Sequence, residues 1–173
     1  MNTSLVMTVI GRDRPGLVES VANLVTAHGG NWLESRMSRL GGQFAGILRV
    51  QVPADREVAL ASALGSLKAQ GLTIVVHTDQ PAQPASKERL MFMELVGQDR
   101  PGIVRQISHT LAAYGVNVEE LHTECASAPM SGEVLFKANA HLYVPDGCDL
   151  GKLRQELEKI ASDLIVDISL DKV

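Results

Sequence analysis

The first half of the chain carries hydrophobic residues in two alternating spacings, and the changes of spacing predict the order β-α-β-β-α-β. Strands are predicted at residues 5–10, 31–40, 43–52 and 72–77. Apolar residues at helical spacing predict a helix that starts at Pro15 and stops at Gly29. A second helix carries Val58 and Leu64 on its apolar face and ends at Gly71. The two glycines between the middle strands mark a tight hairpin.

The second half of the chain repeats this order. Strands are predicted at residues 90–96, 116–125, 133–144 and 164–170. The helices carry Ile107 and Leu157 on their apolar faces, and residues 126–132 form a longer turn. Each half is therefore predicted to be an α+β domain, a four-stranded antiparallel sheet with two helices on one face. The other face of each sheet stays open, which favours association with the sister domain or with a second chain, the latter as a homo-oligomer.

An internal repeat links the two halves. Gly11-Arg-Asp-Arg-Pro-Gly-Leu-Val18 recurs 86 residues later as Gly97-Gln-Asp-Arg-Pro-Gly-Ile-Val104, and the same offset relates Asn31 to Asn117. Residues 79–88 between the halves are polar, contain two prolines and lack large apolar side chains, which is typical of a linker. The sequence thus predicts two duplicated domains, residues 1–78 and 89–173.

Composition narrows the function classes. The 173 residues are 45% hydrophobic and 21% charged, as in ordinary globular proteins. A net charge of -4 and an aromatic content of 3% oppose duplex binding and base stacking, so no direct nucleic-acid partner is expected. Two cysteines are too few for a disulfide framework. With no signal-like or membrane-length apolar run, we expect a cytoplasmic protein without membrane contact.

The repeated motif stands where the first strand of each half becomes the first helix. The leading glycine is expected to permit a turn, and Gly16 and Gly102 are expected in the first helical turn, where a ligand can approach the backbone. Free N–H groups at a helix start attract a carboxylate. Asp13 and Asp99 either cap the helix or hold a ligand's ammonium group. These features suit an amino acid, although a plain helix start with an aspartate cap is the alternative.

The βαββαβ pattern, with Asp-Arg-Pro-Gly at this junction and Gly-x-Asn before the second strand, resembles the ACT domain in both halves. The resemblance implies a ferredoxin-like fold that binds small effectors, often amino acids, between copies. The tandem pair is further similar to the glycine cleavage system transcriptional repressor group. That resemblance implies a sensor of glycine that acts on a DNA-binding transcription activator by protein contact.

In ACT ligand sites, the junction loop of one copy faces the equivalent loop of a partner copy. Carried onto this chain, the resemblance implies two sets of ligand-binding residues: Asp13, Arg14, Gly16, Leu17 and Asn31, and Asp99, Arg100, Gly102, Ile103 and Asn117. The copies differ in that Gln98 replaces Arg12 and Val118 replaces Trp32. The two sites are therefore not expected to be equal.

Other side chains on the predicted strands and turns could carry chemistry. His122, Cys125 and His141, with Glu124, lie on strands expected to pair, and such a group can bind zinc if the register brings it together. The first half has no equivalent group, so no metal site is expected. Cys148 lies beside carboxylates that should raise its pKa, which argues against a catalytic thiol. No cofactor motif is present.

Two further function classes share this order of elements. RRM modules stack bases on aromatic side chains of the central strands, and the first half offers only Phe44 there. A small enzyme on a ferredoxin-like scaffold is the other class, but no paired base and nucleophile recurs in both halves. The sequence therefore favours a non-catalytic regulatory protein that binds a small amino acid.

Overall fold

The computed structural model describes residues 1–79, 88–128 and 132–172. The chain divides into two compact units, Met1–Ala82 and Gln83–Val173, hereafter the first and second unit. The predicted linker, residues 79–88, lies outside the described residues except for its two end positions. The predicted domain limits at residues 78 and 89 thus stay predictions.

The first unit is a four-stranded antiparallel sheet in the order β2-β3-β1-β4. Its elements are β1 (Asn2–Arg12), α1 (Leu17–Ala27), β2 (Asn31–Leu40), β3 (Gln43–Pro53), α2 (Glu57–Ser66) and β4 (Leu72–Thr78), with 3₁₀ turns at Ala54–Arg56 and Leu67–Gln70 on either side of α2. The β2–β3 turn uses Gly41 and Gly42 at φ 57° and 77°. Positive φ at both positions is what a two-residue type I′ hairpin requires.

The second unit repeats the arrangement, with sheet order β6-β7-β5-β8. Its elements are β5 (Glu88–Gln98), α3 (Ile103–Ala113), β6 (Asn117–Ser127), β7 (Val134–Pro145), α4 (Leu150–Leu164) and β8 (Val166–Lys172). Part of the predicted turn 126–132, residues 129–131, lies outside the described residues. The predicted α+β fold of two βαββαβ repeats is confirmed.

Each unit has its own core on the helix-covered face of its sheet. In β1, Leu5, Met7 and Val9 are buried, whereas Thr8, between Met7 and Val9, and Ile10, after Val9, are exposed. This alternation follows from the two-residue period of a strand, which sends successive side chains to opposite faces. One face of each sheet is therefore packed against helices and the other is open.

Two predicted details are wrong. Val58, expected on the apolar face of the second helix, is 81% exposed. Leu164, expected to open the last strand, is instead the final residue of α4, and β8 starts at Val166. Leu164 is buried against the core of the second unit, and a leucine serves a helix as well as a strand in such a position.

No helix among the described residues is long and apolar enough to cross a membrane.

Candidate functional site

The junction of the first unit is the loop from β1 to α1, residues 13–16. The backbone N–H of Asp13 donates to the carbonyl oxygen of Gly42 at 2.9 Å, which fixes the loop to the β2–β3 hairpin. The carbonyl oxygen of Gly16 accepts hydrogen bonds from the backbone N–H and the hydroxyl of Ser20, at 2.9 and 2.8 Å. The junction is thus held at both ends by backbone contacts.

The start of the helix differs from its prediction. α1 begins at Leu17 rather than Pro15, and α3 begins at Ile103 rather than Pro101. Gly16 and Gly102 precede the helices at φ 86° and 95°, in the left-handed region. A residue with a Cβ is strained there, so the backbone conformation alone explains both glycines. Their repetition is consequently no separate sign of a ligand.

The leading glycine of the motif also has a different role from the predicted turn. Gly11 lies inside β1, and a Cβ on it would stand 2.6 Å from the carbonyl oxygen of Gly71. Gly97 lies inside β5, where a Cβ would overlap Val166. In both units this glycine lets the last strand of the sheet approach closely, just before the chain turns into the junction.

The aspartates do not cap the helices. Within the described residues, no side chain accepts a hydrogen bond from the first N–H groups of α1 or α3. The first-turn N–H groups of an uncapped helix have no partner within the helix and carry the positive end of its dipole. The capping alternative for Asp13 and Asp99 is therefore wrong, and both carboxylates are left for another role.

In the first unit, the junction aspartate has a partner from the hairpin. The Arg39 guanidinium lies 3.4 Å from the Asp13 carboxylate, and their side chains are 72% and 32% exposed. Arg14 donates to the carbonyl oxygen of Gln70 at 3.3 Å, so its side chain points toward the end of the second helix. Asp13 and Arg14 therefore both have partners within the first unit.

In the second unit the junction aspartate, Asp99, lacks the ion-pair partner that Asp13 has among the described residues. The backbone N–H of Asp99 donates to the Val134 carbonyl oxygen at 3.1 Å, as in the first unit. Its carboxylate makes no hydrogen bond or ion pair within the part of the chain that the structure describes. The position equivalent to Arg39 is Cys125, since each lies opposite a phenylalanine at the same place in the ladder. Arg100 donates to Gln98 at 3.1 Å.

The asparagines of the predicted sites lie far from the junctions. Asn31 on β2 is opposite Gln51 on β3, and Gln51 is in turn opposite Ser4 near the start of β1. The junction lies at the other end of β1, after Arg12. Eight residues of strand separate these positions, or about 26 Å at 3.3 Å per residue. Asn117 has the same relation to its junction. Within one unit, the asparagine and the aspartate cannot contact the same small ligand.

The two remaining predicted residues, Leu17 and Ile103, begin the helices and are only 4% and 2% exposed. Both belong to the cores of their units. Their backbone N–H groups lie at the uncapped helix ends, but their side chains anchor the helices to the sheets.

The sequence did not indicate an apolar groove in the second unit. It lies between α3 and β6 and has a volume of about 40 Å³. Its walls include Ile103, Val104, Leu121, Phe136 and Ala140. Val104 and Leu121 are 46% and 50% exposed at its mouth. The sequence holds a partial signal, because Ala140 and Thr123 stand where the first repeat has Leu48 and Met37, but these positions can be matched only through the strand register.

The candidate zinc ligands do not converge. Cys125 on β6 is opposite Phe136 on β7. His141 lies five residues beyond Phe136 on β7 and is opposite Glu120. His141 Nδ1 lies 3.3 Å from the Glu120 carboxylate. Among the described residues, no group of three or more potential ligands is arranged to hold a metal ion.

Burial is the main cause that raises the pKa of the Cys148 thiol, while Arg89 lowers it and Asp149 raises it. The predicted direction is confirmed, but a neighbouring carboxylate is the smaller cause. A thiol with a raised pKa has little thiolate at neutral pH, which argues against a nucleophilic role.

Phe44, the aromatic side chain that the first half offered for base stacking, is not available to RNA. Phe44 lies on the helix-covered face and packs against the core of the first unit. On the open face of the second sheet, Phe92 stacks at an angle on His141, with ring centroids 5.4 Å apart. Five exposed carboxylates share that face: Glu94, Glu120, Glu124, Asp167 and Asp171. Such a surface repels phosphate.

Comparisons with known proteins match both repeats. The ACT domain family model matches residues 3–77 and 89–171. The glycine cleavage system transcriptional repressor of Escherichia coli (strain K12) is 24% identical over 98% of this chain and 90% of its own length. An unknown protein from Galdieria sulphuraria has a crystal structure that covers 100% of this chain and 99% of its own, with TM-score 0.90 and 30% identity.

A second crystal structure, provisionally assigned as a glycine cleavage system transcriptional repressor, covers 100% of this chain and 98% of its own. Its TM-score is 0.71 at 22% identity, a likeness that shows the shared fold alone.

Proposed function

This chain belongs to the ACT domain family, as its repeated motif indicated, and from that premise we propose a non-catalytic regulator that binds a small amino acid. Glycine is the favoured ligand, and the bound protein acts on a DNA-binding transcription activator by protein contact, in the cytoplasm. One observation carries the proposal: each unit places an aspartate without a capping role next to an uncapped helix start. The name of the E. coli relative supports the regulatory role.

The two charges of an amino acid match the two halves of this junction. The α-carboxylate accepts hydrogen bonds from the first N–H groups of α1 or α3, where the helix dipole favours negative charge. The ammonium group lies against the Asp13 or Asp99 carboxylate. Glycine has no side chain, so it needs no pocket beside the junction. The proposed function includes no reaction, because the junction supplies charges rather than a nucleophile and a base.

The asparagines require a second copy of the fold. Because Asn31 and Asn117 lie about 26 Å from the junction of their own unit, they can contribute to a site only on another copy of the fold. We place them at junctions of a second chain in a homo-oligomer. Ligand then binds where two chains meet and stabilises one arrangement of the chains, which the regulator recognises.

The direct test is a thermal-shift panel of the full chain with the twenty amino acids. A ligand at about 100 times its Kd should raise Tm by about 5–10 °C. The shift with glycine should be lost when Asp13→Ala and Asp99→Ala are combined. Asp55→Ala is the matched control, because Asp55 is an exposed aspartate paired with Arg56 away from both junctions. If no amino acid shifts Tm, the junctions do not bind amino acids and the proposal fails.

The shared site can be tested by mixing two variants. One carries Asp13→Ala and Asp99→Ala, and the other carries Asn31→Ala and Asn117→Ala. Neither should bind glycine alone, but after mixing and exchange of subunits some sites should combine both intact halves, and calorimetry should recover part of the binding. Full binding by the asparagine variant on its own would show that the asparagines lie outside the site.

A further inference from the structure

We propose that the junction of the second unit takes an amino acid with an aliphatic side chain, which lies in the groove between α3 and β6. This inference rests on the proposed function and refines it, because it names the class of ligand for one of the two sites. It follows from three observations: the side chains along the groove differ in size between the units, the groove lies next to the second junction, and Asp99 lacks the arginine partner that Asp13 has.

The groove has the character of a side-chain pocket. Its volume of about 40 Å³ is room for roughly three water-sized groups, which matches the few carbon atoms of an aliphatic side chain. Apart from the hydroxyls of Ser108 and Thr123, its lining is apolar. Val104 and Leu121 are exposed at its mouth, so an aliphatic side chain that enters the groove covers apolar surface that otherwise faces water.

At three places along this groove the first unit carries a larger side chain, and at one place, Ser35 against Leu121, it carries a smaller one. Leu48 and Ala140 each lie opposite the central methionine of their sheet, Met7 and Met93. Leu48 is therefore equivalent to Ala140. Continued onto the edge strands β2 and β6, the same register makes Trp32 equivalent to Val118 and Met37 equivalent to Thr123. Trp32 and Met37 pack against the core of the first unit.

One end of the groove lies at the first turn of α3, next to the junction. Ile103, the first residue of α3, is part of its wall, and so is Phe136, which lies opposite Gly97 near the end of β5. Asp99 follows that strand end by two residues. An amino acid whose carboxylate meets the first turn of α3 and whose ammonium meets Asp99 therefore has its side chain at the entrance of the groove.

The aspartate of the second unit is also the more accessible of the two. Asp13 has Arg39 at 3.4 Å, in the place that a ligand's ammonium would take. Cys125 occupies the position equivalent to Arg39 and carries no positive charge. Within the described residues the Asp99 carboxylate has no partner to displace. Charge and space thus favour the second unit for the larger ligand.

The test is calorimetry on the full chain in an Asp13→Ala background, which leaves the second junction as the intact one. Leucine and valine should bind at least about tenfold more tightly than glycine, since each buried methylene contributes about fourfold. Thr123→Met places in the groove the residue that the first unit has there, and it should remove this preference while glycine affinity stays within twofold. Thr73→Met, the same change on the exposed open face of the first sheet, should leave the preference unchanged.

Three results would overturn the inference. The first is glycine binding as tight as leucine binding in the Asp13→Ala protein, and the second is equal weakening of both ligands by Thr123→Met. The third is a change of oligomeric mass with Thr123→Met at unchanged ligand preference, which would make the groove an interface between copies. Absence of binding for every amino acid in the unmodified chain is a different result, since it removes the proposed function itself.

Discussion

Ile165 is the one non-glycine residue of the described chain with a positive φ. It ends α4 at φ 57° and is 65% exposed. A left-handed conformation costs an L-residue about 1–2 kcal/mol, and a β-branched side chain is among the least suited to it. Little packing compensates for this strain, because most of the side chain faces water.

We expect Ile165→Gly to stabilise the protein by about 1 kcal/mol, after allowance for the greater freedom of glycine in the unfolded chain. Tm should rise by about 2–4 °C. Ile165→Ala removes the same side chain but keeps the Cβ, so it should not raise Tm. An equal rise in both variants would show that the side chain, rather than the backbone conformation, is the cause.

The two cysteines should differ in reactivity. Burial raises the pKa of Cys148, whereas Cys125 is exposed on β6. A raised pKa means less thiolate at neutral pH, so at pH 7.5 iodoacetamide should modify Cys125 before Cys148. The rate for Cys148 should increase as the pH rises toward its pKa.

Mass spectrometry of the modified peptides measures both rates, and urea-unfolded protein, in which neither thiol is buried, is the control. Faster alkylation of Cys148 in the folded protein would contradict the expectation.

Among the elements, α4 has the side-chain cap that α1 and α3 lack. The Asp149 carboxylate accepts from the backbone N–H of Lys152 at 3.1 Å, and this hydrogen bond is the main cause that lowers the pKa of Asp149. A carboxyl group with a lowered pKa stabilises the fold above its unfolded pKa of about 4. The contribution is lost as the pH falls through the folded pKa.

Asp149→Ala should therefore lower Tm by about 2–4 °C at pH 7. The difference from the unmodified protein should stay constant down to about pH 5 and shrink below about pH 4. Asp149→Asn keeps a cap oxygen without a charge, so it should lose less stability at pH 7, and its smaller difference from the unmodified protein should also shrink below about pH 4. A difference that is the same at pH 3 and pH 7 would mean that the carboxylate is not the stabilising group.

The elements themselves were largely predictable, because period and turn residues act locally. Strand β2 has the predicted bounds, and Gly41-Gly42 forms the predicted hairpin. The start of α1 was misjudged because proline at a first helical position is a statistical preference. The left-handed conformation of Gly16, which follows the proline, overrides that preference. Glycine adopts positive and negative φ with equal ease, so the sequence does not show which of the two is present.

The site was less predictable than the fold, because its properties depend on contacts between distant residues. The motif identified both junctions and both aspartates. It could not show that Arg39 pairs with Asp13, or that Asn31 lies at the other end of the sheet. The groove depends on three pairs of residues matched across strands, and that match requires the register.

At the scale of the whole molecule, charge is distributed unevenly along the chain. Residues 1–79 contain seven basic and six acidic residues, a net charge of +1. Residues 88–172 contain eight basic and fourteen acidic residues, a net charge of -6. The overall value of -4 therefore hides a nearly neutral first unit and a strongly acidic second one. Two duplicated folds with separate surface charges are free to meet different partners.

Separate cores predict that each unit folds on its own. At about 80 residues a domain buries enough surface to be stable, and every strand finds its partners within its own sheet. Fragments 1–79 and 88–173 should each show native-like circular dichroism and a cooperative thermal transition, with the second retained far longer on an anion exchanger. A fragment that ends at Ser66, before β4, should stay unfolded, because it leaves one side of β1 without its partner. An unfolded fragment 1–79 would show instead that the first unit depends on the second and that the predicted domain boundary is wrong.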